Sequence, residues 1–503
     1  MPEAIISRVL NHRWFAIALA LVIFLPLLFI NIRSDHDWGD DFAQYLAQAE
    51  NISKGIPMAQ TGYIYNDAYP SLGPKAYPPG FPLMIAPLVS RYGNEVLPYN
   101  ILISCLLIIT AVLSVLFLKR LAGFVPALAL SLVIFYNPYV IGLKSEIMAD
   151  VPFALLLLLF LFFTVSKNNL KLASWIAAGV AAGLATAFKT AGFALLIALL
   201  ALILQKAVFA LWNRQTRLDF YRQALHPAYA LCAGLLVYLI FYVGFMRGSG
   251  GESSYLNTFS LKGLMDTMAM NIFTYSEVLR KFFIETSSLV YWFGFIAGAA
   301  AVTFFITGLL LSLIRKPGLM EWVTLIYVGL LLVYPYHNSG FRFLLPLAPV
   351  IMWYIVVAVM AYQPGRAGKY FSSGFALLML VVYFPELIRI QQSIDTIQEG
   401  PYTSVVMQAF EKTENLTPAE VSVAFIKPRA LARYSHRHAF SGQPESTPTE
   451  IYRQMQILKP DYYLLYSELP DPALENYIKT NRNQIEMVWR SPYFQLFRNR
   501  IVR

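Results

Sequence analysis

Residues 14–42 read WFAIALALVIFLPLLFINIRSDHDWGDDF. From Trp14 to Ile32 there is no charge, and a helix of that length crosses about 30 Å of hydrocarbon. Four carboxylates then follow within seven residues: Asp35, Asp37, Asp40 and Asp41. A basic stub with Arg8 and Arg13 precedes the run. A signal peptide has the same polarity, but this run is long and no small-residue cleavage site follows it. The expectation is an uncleaved first span, with the stub cytoplasmic and the acids outside.

Similar runs recur at about 98–118, 121–141, 149–166, 172–188, 191–211, 227–246, 290–314, 320–336, 343–362 and 370–388. The chain thus reads as a polytopic α-helical membrane protein with about eleven transmembrane helices. Its composition agrees: 57% of the residues are hydrophobic, and 14% are charged where a soluble domain carries about 25%. The net charge of +10 gives no sign of a nucleic-acid partner, because the surplus lies in short loops. Lys119, Arg120, Lys167, Lys171, Lys206, Arg214, Arg217, Arg222, Arg315, Lys316, Arg366 and Lys369 all fall on the side of the N-terminus, as the positive-inside rule requires. Cys105 and Cys232 both lie inside apolar runs, so neither a disulfide framework nor a zinc site is expected.

Three large pieces then face outward: the loop 33–97, the loop 247–289 and the tail 389–503. Residues 1–388 are expected to form the membrane module and the tail a small extramembrane α/β domain. In the tail, 421–426 and 461–466 read as strands, 447–458 and 471–480 as helices capped by Thr447 (or Ser446) and Asp471, and 485–489 with 493–497 as a hairpin. The loop 247–289 interleaves Leu264, Met268 and Ile272 with polar residues, as in a helix lying along a membrane surface, where Arg280 and Lys281 would meet headgroups.

The chemistry is expected in the outer loops. Adjacent carboxylates hold a hard cation through oxygen, or one of them serves as a general base; a merely solvated acidic loop is the plain alternative. Glu146 and Asp150 are four apart and share a face at the mouth of a span, where carboxylates are costly unless paired, solvated or metal-bound. Helix capping would also place acids there. Lys189 interrupts two apolar runs and Arg342 opens another, so both suit an anion or a lipid headgroup. His337 stands beside Arg342 as a possible base or ligand.

Several short segments, in this order, resemble the GT-C class of membrane glycosyltransferases, with kin among the bacterial protein O-mannosyltransferases and lipid A aminoarabinose transferases. Gly39-Asp40-Asp41-Phe42 and the segment to Gly55 are similar to the first-loop motif of the class, which usually has Asp-Glu where this chain has Asp40-Asp41. Tyr77-Pro78-Pro79-Gly80-Phe81-Pro82, Asp150-Val151-Pro152-Phe153, Phe188-Lys189-Thr190, Arg342-Phe343-Leu344-Leu345-Pro346 and Lys427-Pro428-Arg429-Ala430-Leu431 resemble further segments of it.

The resemblance implies an inverting transfer of a sugar from a polyprenyl-phosphate carrier to an acceptor hydroxyl at the outer face of a bacterial inner membrane. The acceptor would be a glycan, a lipid or a protein. Asp40 would act as the base with Asp41 beside it, and Lys189, Arg342 and Lys75 would hold the donor phosphate. Asp41, Glu146 and Asp150 would be the ligands of a divalent cation, Mg²⁺ or Mn²⁺. A membrane transporter and a polymerase or ligase of lipid-linked glycans are the rival readings. Transporter sites usually lie near the midplane between repeated halves, and this chain has no repeat.

Overall fold

The computed structural model describes residues 12–165, 171–212, 217–246, 261–283, 288–315, 317–336, 340–363, 366–394 and 399–500. Each apolar run of the sequence is helical. Among the described residues six helices are long and apolar enough to cross a membrane: Leu97–Ala122, Thr190–Trp212, Gln223–Phe245, Phe295–Arg315, Leu345–Tyr362 and Ser373–Gln392. Phe124–Phe135 and Pro138–Lys144 qualify together as one span bent by 64°. The bend falls where Pro138 has no N–H to give, and Asn137 caps the second half by accepting from Tyr139 N at 2.9 Å. Four further apolar helices are shorter: Trp14–Leu28, Asp150–Thr164, Leu172–Phe188 and Leu319–Val333. The chain is a multi-pass membrane protein.

Two features carry the functional surface. The loop after the first apolar helix folds into helices Asp41–Ser53 and Gly80–Tyr92, packed on each other. Gln44 Nε2 donates to the Lys75 carbonyl at 2.6 Å, and the Gln48 amide both donates to the Tyr77 carbonyl (2.9 Å) and accepts from its N–H (3.0 Å). Buried amides thus fix the intervening coil from within, since an unmet polar group there is costly.

The tail carries helix Ser404–Leu416 and then a five-stranded sheet. Its strands are β1 (Ser422–Ala424), β2 (His438–Phe440), β3 (Tyr462–Tyr466), β4 (Ile485–Arg490) and β5 (Phe494–Asn499). Their order is β2-β1-β3-β5-β4, with β2, β1 and β3 parallel and β5 antiparallel to both β3 and β4. The expected hairpin and the helices Pro448–Leu458 and Pro472–Thr480 are present, the first with a Thr447–Glu450 capping box. Helices 404–416 and 428–435 and strand β2 are additional to the expectation. The second has eight residues and β2 three, too short a run for either to be read from sequence pattern.

The tail does not stand apart. Tyr63 bridges Ala439 of β2, with Ile64 N to Ala439 O at 2.8 Å and Ala439 N to Gly62 O at 2.9 Å. The first loop thereby covers the sheet's exposed edge. Asn66 Nδ2 donates to Ser441 O and Gln454 Oε1, and Arg433 reaches Glu50 and Asn94.

Helix Leu261–Phe283 is amphipathic, as expected. Met265, Met270, Ile272 and Phe273 are exposed, while the buried Asn271 amide donates to the carbonyls of Leu331, Leu332 and Tyr334.

Candidate active site

Asp41 is the first residue of helix Asp41–Ser53, and Asp150 the first of helix Asp150–Thr164. Lys189 is extended (φ −154°, ψ 135°) between helix Leu172–Phe188 and the turn Thr190–Gly192, so the break puts a cation where the chain leaves one helix for the next. Arg342 sits in the turn Gly340–Phe343 that opens the span after it. The fold brings all four together. Lys189 Nζ donates to Asp150 Oδ1; Arg342 Nη2 donates to Asp41 Oδ2 at 3.2 Å, and its Nε lies 3.6 Å from Asp150 Oδ1. Both cations also lie over the Phe343 ring, Lys189 Nζ at 4.3 Å and the Arg342 guanidinium at 5.4 Å.

The tail adds a fifth member that sequence reasoning did not assign. Arg429 Nη1 donates to Asp41 Oδ1 at 2.8 Å, and its side chain has no exposed surface. Arg429 also donates to the Tyr77 hydroxyl (3.0 Å) and the Pro74 carbonyl (3.1 Å), with the rings of Tyr63 and Tyr77 at 4.8 and 5.1 Å. The Tyr77 hydroxyl donates to Asp41 Oδ1 at 2.7 Å. Gly73, at φ +116°, makes room for the guanidinium: a Cβ there would lie 2.5 Å from Arg429 Nη2. One signal stands out once the helix is known. Helix first turns favour acids, and Pro428-Arg429 opens a helix with a cation instead.

Asp40 and Asp41 sit in unlike surroundings. Asp40 has φ 48°, uncommon for a residue with a side chain, and one carboxylate oxygen accepts from Ala430 N at 3.0 Å. Its Oδ2 is buried with no hydrogen-bond partner among the described residues. Burial raises the pKa of Asp40, and the charges of Arg429 and Lys427 and the Ala430 N–H offset this only in part. Burial acts on Asp41 in the same direction, but Arg342, Arg429 and the Tyr77 hydroxyl outweigh it and hold its pKa below the usual carboxylate value.

The remaining expected residues fall elsewhere. Lys75 has an exposed side chain, and its carbonyl alone takes part in a described hydrogen bond. Glu146 does not join Asp41 and Asp150 in a ligand set; it turns to His36, with 3.3 Å between Oε2 and Nε2. The reason is that Asp41 and Asp150 are drawn to cationic side chains. Among the described residues, His36, Asp37 and Glu146 are the trio whose ligand atoms lie within 4.8 Å of one another, a spacing that could hold a metal ion. Burial lifts the Glu146 pKa to about 7 against the pull of His36, while the hydrogen bond and charge of His36 overcome burial and bring Asp37 down to about 2. Lys281 is exposed, and His337 and the side chain of Arg280 lie outside the described residues.

Comparison with solved structures places this fold. ArnT from Cupriavidus metallidurans bound to undecaprenyl phosphate superposes with a TM-score of 0.52 at 13% identity, over 95% of this chain and 97% of that one. The Archaeoglobus fulgidus oligosaccharyltransferase in complex with Zn and sulfate gives 0.52 at 12% identity, over 90% and 68%. AglB from the same organism, with an inhibitory peptide and a dolichol-phosphate, gives 0.50 at 13%, over 91% and 70%. No protein-family model matches the chain, and no curated protein matches it by sequence. The chain has the fold of the GT-C membrane glycosyltransferases, the class its sequence motifs resemble.

Proposed function

We propose that this chain is an inverting glycosyltransferase that moves a sugar from a polyprenyl-phosphate carrier to an acceptor hydroxyl on the periplasmic side of a bacterial inner membrane. One observation carries the reading. Lys189, Arg342 and Arg429 converge on Asp41 and Asp150, three cations against two acids, where span mouths, first loop and tail meet. Clustered cations at such a place suit a lipid phosphate, with Arg342 as a planar fork and Lys189 as a point charge.

The acceptor hydroxyl attacks the anomeric carbon from the face opposite the carrier oxygen, and the carbon–oxygen bond to the phosphate breaks with its electrons going to the phosphate. Asp40 takes the hydroxyl proton on Oδ2, which has no hydrogen-bond partner among the described residues. A base with a raised pKa is better matched to that task than Asp41, which two guanidiniums keep ionised; a general base contributes about 10²–10⁴-fold. Lys189, Arg342 and Arg429 stabilise the charge that develops on the leaving phosphate. The Mg²⁺ or Mn²⁺ that the sequence left room for does not fit at Asp41 and Asp150, whose carboxylates are committed to cations.

The full span count belongs to this proposal: the bent pair and the four shorter apolar helices cross together with the six long ones, making eleven. Residues 1–388 then form the membrane module, and 389–503 lie outside with the first loop. The test is transfer of radiolabel from polyprenyl-phosphate sugars to cell-envelope acceptors by the purified chain in nanodiscs. We expect transfer by the parent and at least about 10²-fold less by Asp40→Asn. Equal rates would remove Asp40 from the role. Vesicle uptake of a polyprenyl-phosphate sugar without transfer would favour a transporter.

A further inference from the structure

The His36 imidazole, 3% exposed, sits between the two segments that present Asp41 and Asp150. Its Nε2 accepts the Ile147 N–H at 3.1 Å, within the coil that leads from Glu146 to Asp150. Glu146 Oε2 lies 3.3 Å from the same nitrogen, so Nε2 accepts from Ile147 in the neutral ring, whose proton then sits on Nδ1, 3.1 Å from the Asp37 carbonyl oxygen. The ring face stacks on Phe42, the residue after Asp41, with centroids 4.0 Å apart and planes 21° apart. Gly400 of the tail packs against the His36 backbone. At φ +135° its Cα comes so near that a Cβ would lie 2.2 Å from the His36 carbonyl oxygen. One side chain therefore ties the start of helix Asp41–Ser53 to the turn before helix Asp150–Thr164, although 111 positions separate His36 from Ile147.

We infer that His36 is a positioning residue for the transfer proposed above. Through the Ile147 N–H and the Phe42 ring it sets the separation of Asp41 and Asp150, and so the spacing of the cations that meet the donor phosphate. This rests on the transferase reading for its kinetic consequence and on the structure alone for the contact. A metal ion is the competing use of the same ring. Both nitrogens, however, already face hydrogen-bond partners, and a metal on Nε2 would displace the Ile147 N–H, leaving a buried donor unmet.

Three variants separate these uses. In His36→Gln an amide oxygen takes the place of Nε2; in His36→Asn the amide falls at the place of Nδ1; His36→Phe keeps only the stack. Amide exchange of the segment 143–150 in nanodiscs reads the Ile147 bond directly. We expect parent-like protection in His36→Gln and loss of one protected amide in His36→Asn and His36→Phe. We expect kcat within about threefold of the parent in His36→Gln, the scale of one altered hydrogen bond. In the other two it should fall about tenfold to a hundredfold, the cost of misplacing a reacting group by about 1 Å. Undecaprenyl phosphate affinity should follow the same order.

Equal protection in all three variants would overturn the assignment, as would His36→Asn matching His36→Gln. One equivalent of Zn²⁺ or Mn²⁺ taken up by the metal-stripped parent and lost in His36→Gln would also overturn it. A parent that transfers no sugar refutes the transferase reading, while exchange at Ile147 still decides this one.

Discussion

Asp41 and Arg429 join the first loop to the tail, and removing either should open the site. Asp41→Asn removes the anion that faces Arg429 at 2.8 Å and Arg342 at 3.2 Å. Breaking a buried pair by deleting one partner costs about 3–5 kcal/mol, because the other charge stays buried and unpaired. Arg429 keeps the Pro74 carbonyl, the Tyr77 hydroxyl and two aromatic rings, so the low end applies, about 3 kcal/mol. At about 1.4 kcal/mol per decade this weakens the seating of helix Pro428–Ser435 by about 10²-fold. Arg429→Gln should cost a similar amount, since it leaves Asp41 with Arg342 as its one cation at hydrogen-bond distance among the described residues, beside the Tyr77 hydroxyl. In the double variant neither charge is stranded, so its cost should fall short of the sum by about 1.5 kcal/mol or more. The assay is amide exchange of the segments 428–435 and 438–440 in nanodiscs, converted to opening free energies for parent, singles and double. A coupling below about 0.5 kcal/mol, the usual scatter of additive pairs, would refute the ion pair as the joint.

Other outcomes follow from the same geometry. Gly73→Ala places a methyl against Arg429 and strains a φ of +116°, so transfer should fall while donor binding at Lys189 persists; unchanged kcat would show that the guanidinium has room to move. Lys427→Gln removes a charge that lowers the Asp40 pKa, so the acid limb of kcat/KM should move to higher pH; a shift to lower pH would contradict Asp40 as the base. Asp41 has a lowered pKa when folded, so its stabilisation is complete above the ordinary carboxylate range and is lost as pH falls through the folded value. The opening free energy of the segment 428–435, taken from exchange corrected for its intrinsic pH dependence, should therefore fall on acidification in the parent and stay flat in Asp41→Asn. Cysteines introduced at the exposed positions Asp67 and Glu420 should react with an impermeant maleimide added outside intact spheroplasts; labelling only after lysis would reverse the orientation.

The sequence by itself determined the membrane class and nearly every apolar helix, because a chain without charge over a bilayer's width leaves the backbone few other solutions. It also singled out Asp41, Asp150, Lys189 and Arg342, which the fold brings together, since charges beside apolar runs are conspicuous. What it could not determine is who meets whom. Glu146 and Asp150 share a spacing that suggested one ligand set. Yet one turns to His36 and the other to Lys189 and Arg342, a choice made by residues far away along the chain. Arg429 was hidden for a similar reason. Its role depends on a buried space between Tyr63, Gly73, Tyr77 and Asp41 that exists only after the tail docks on the first loop. Local pattern reports what each segment exposes to water or lipid, whereas pairing of buried charges is a long-range electrostatic match, and only the tertiary fold brings its partners within reach.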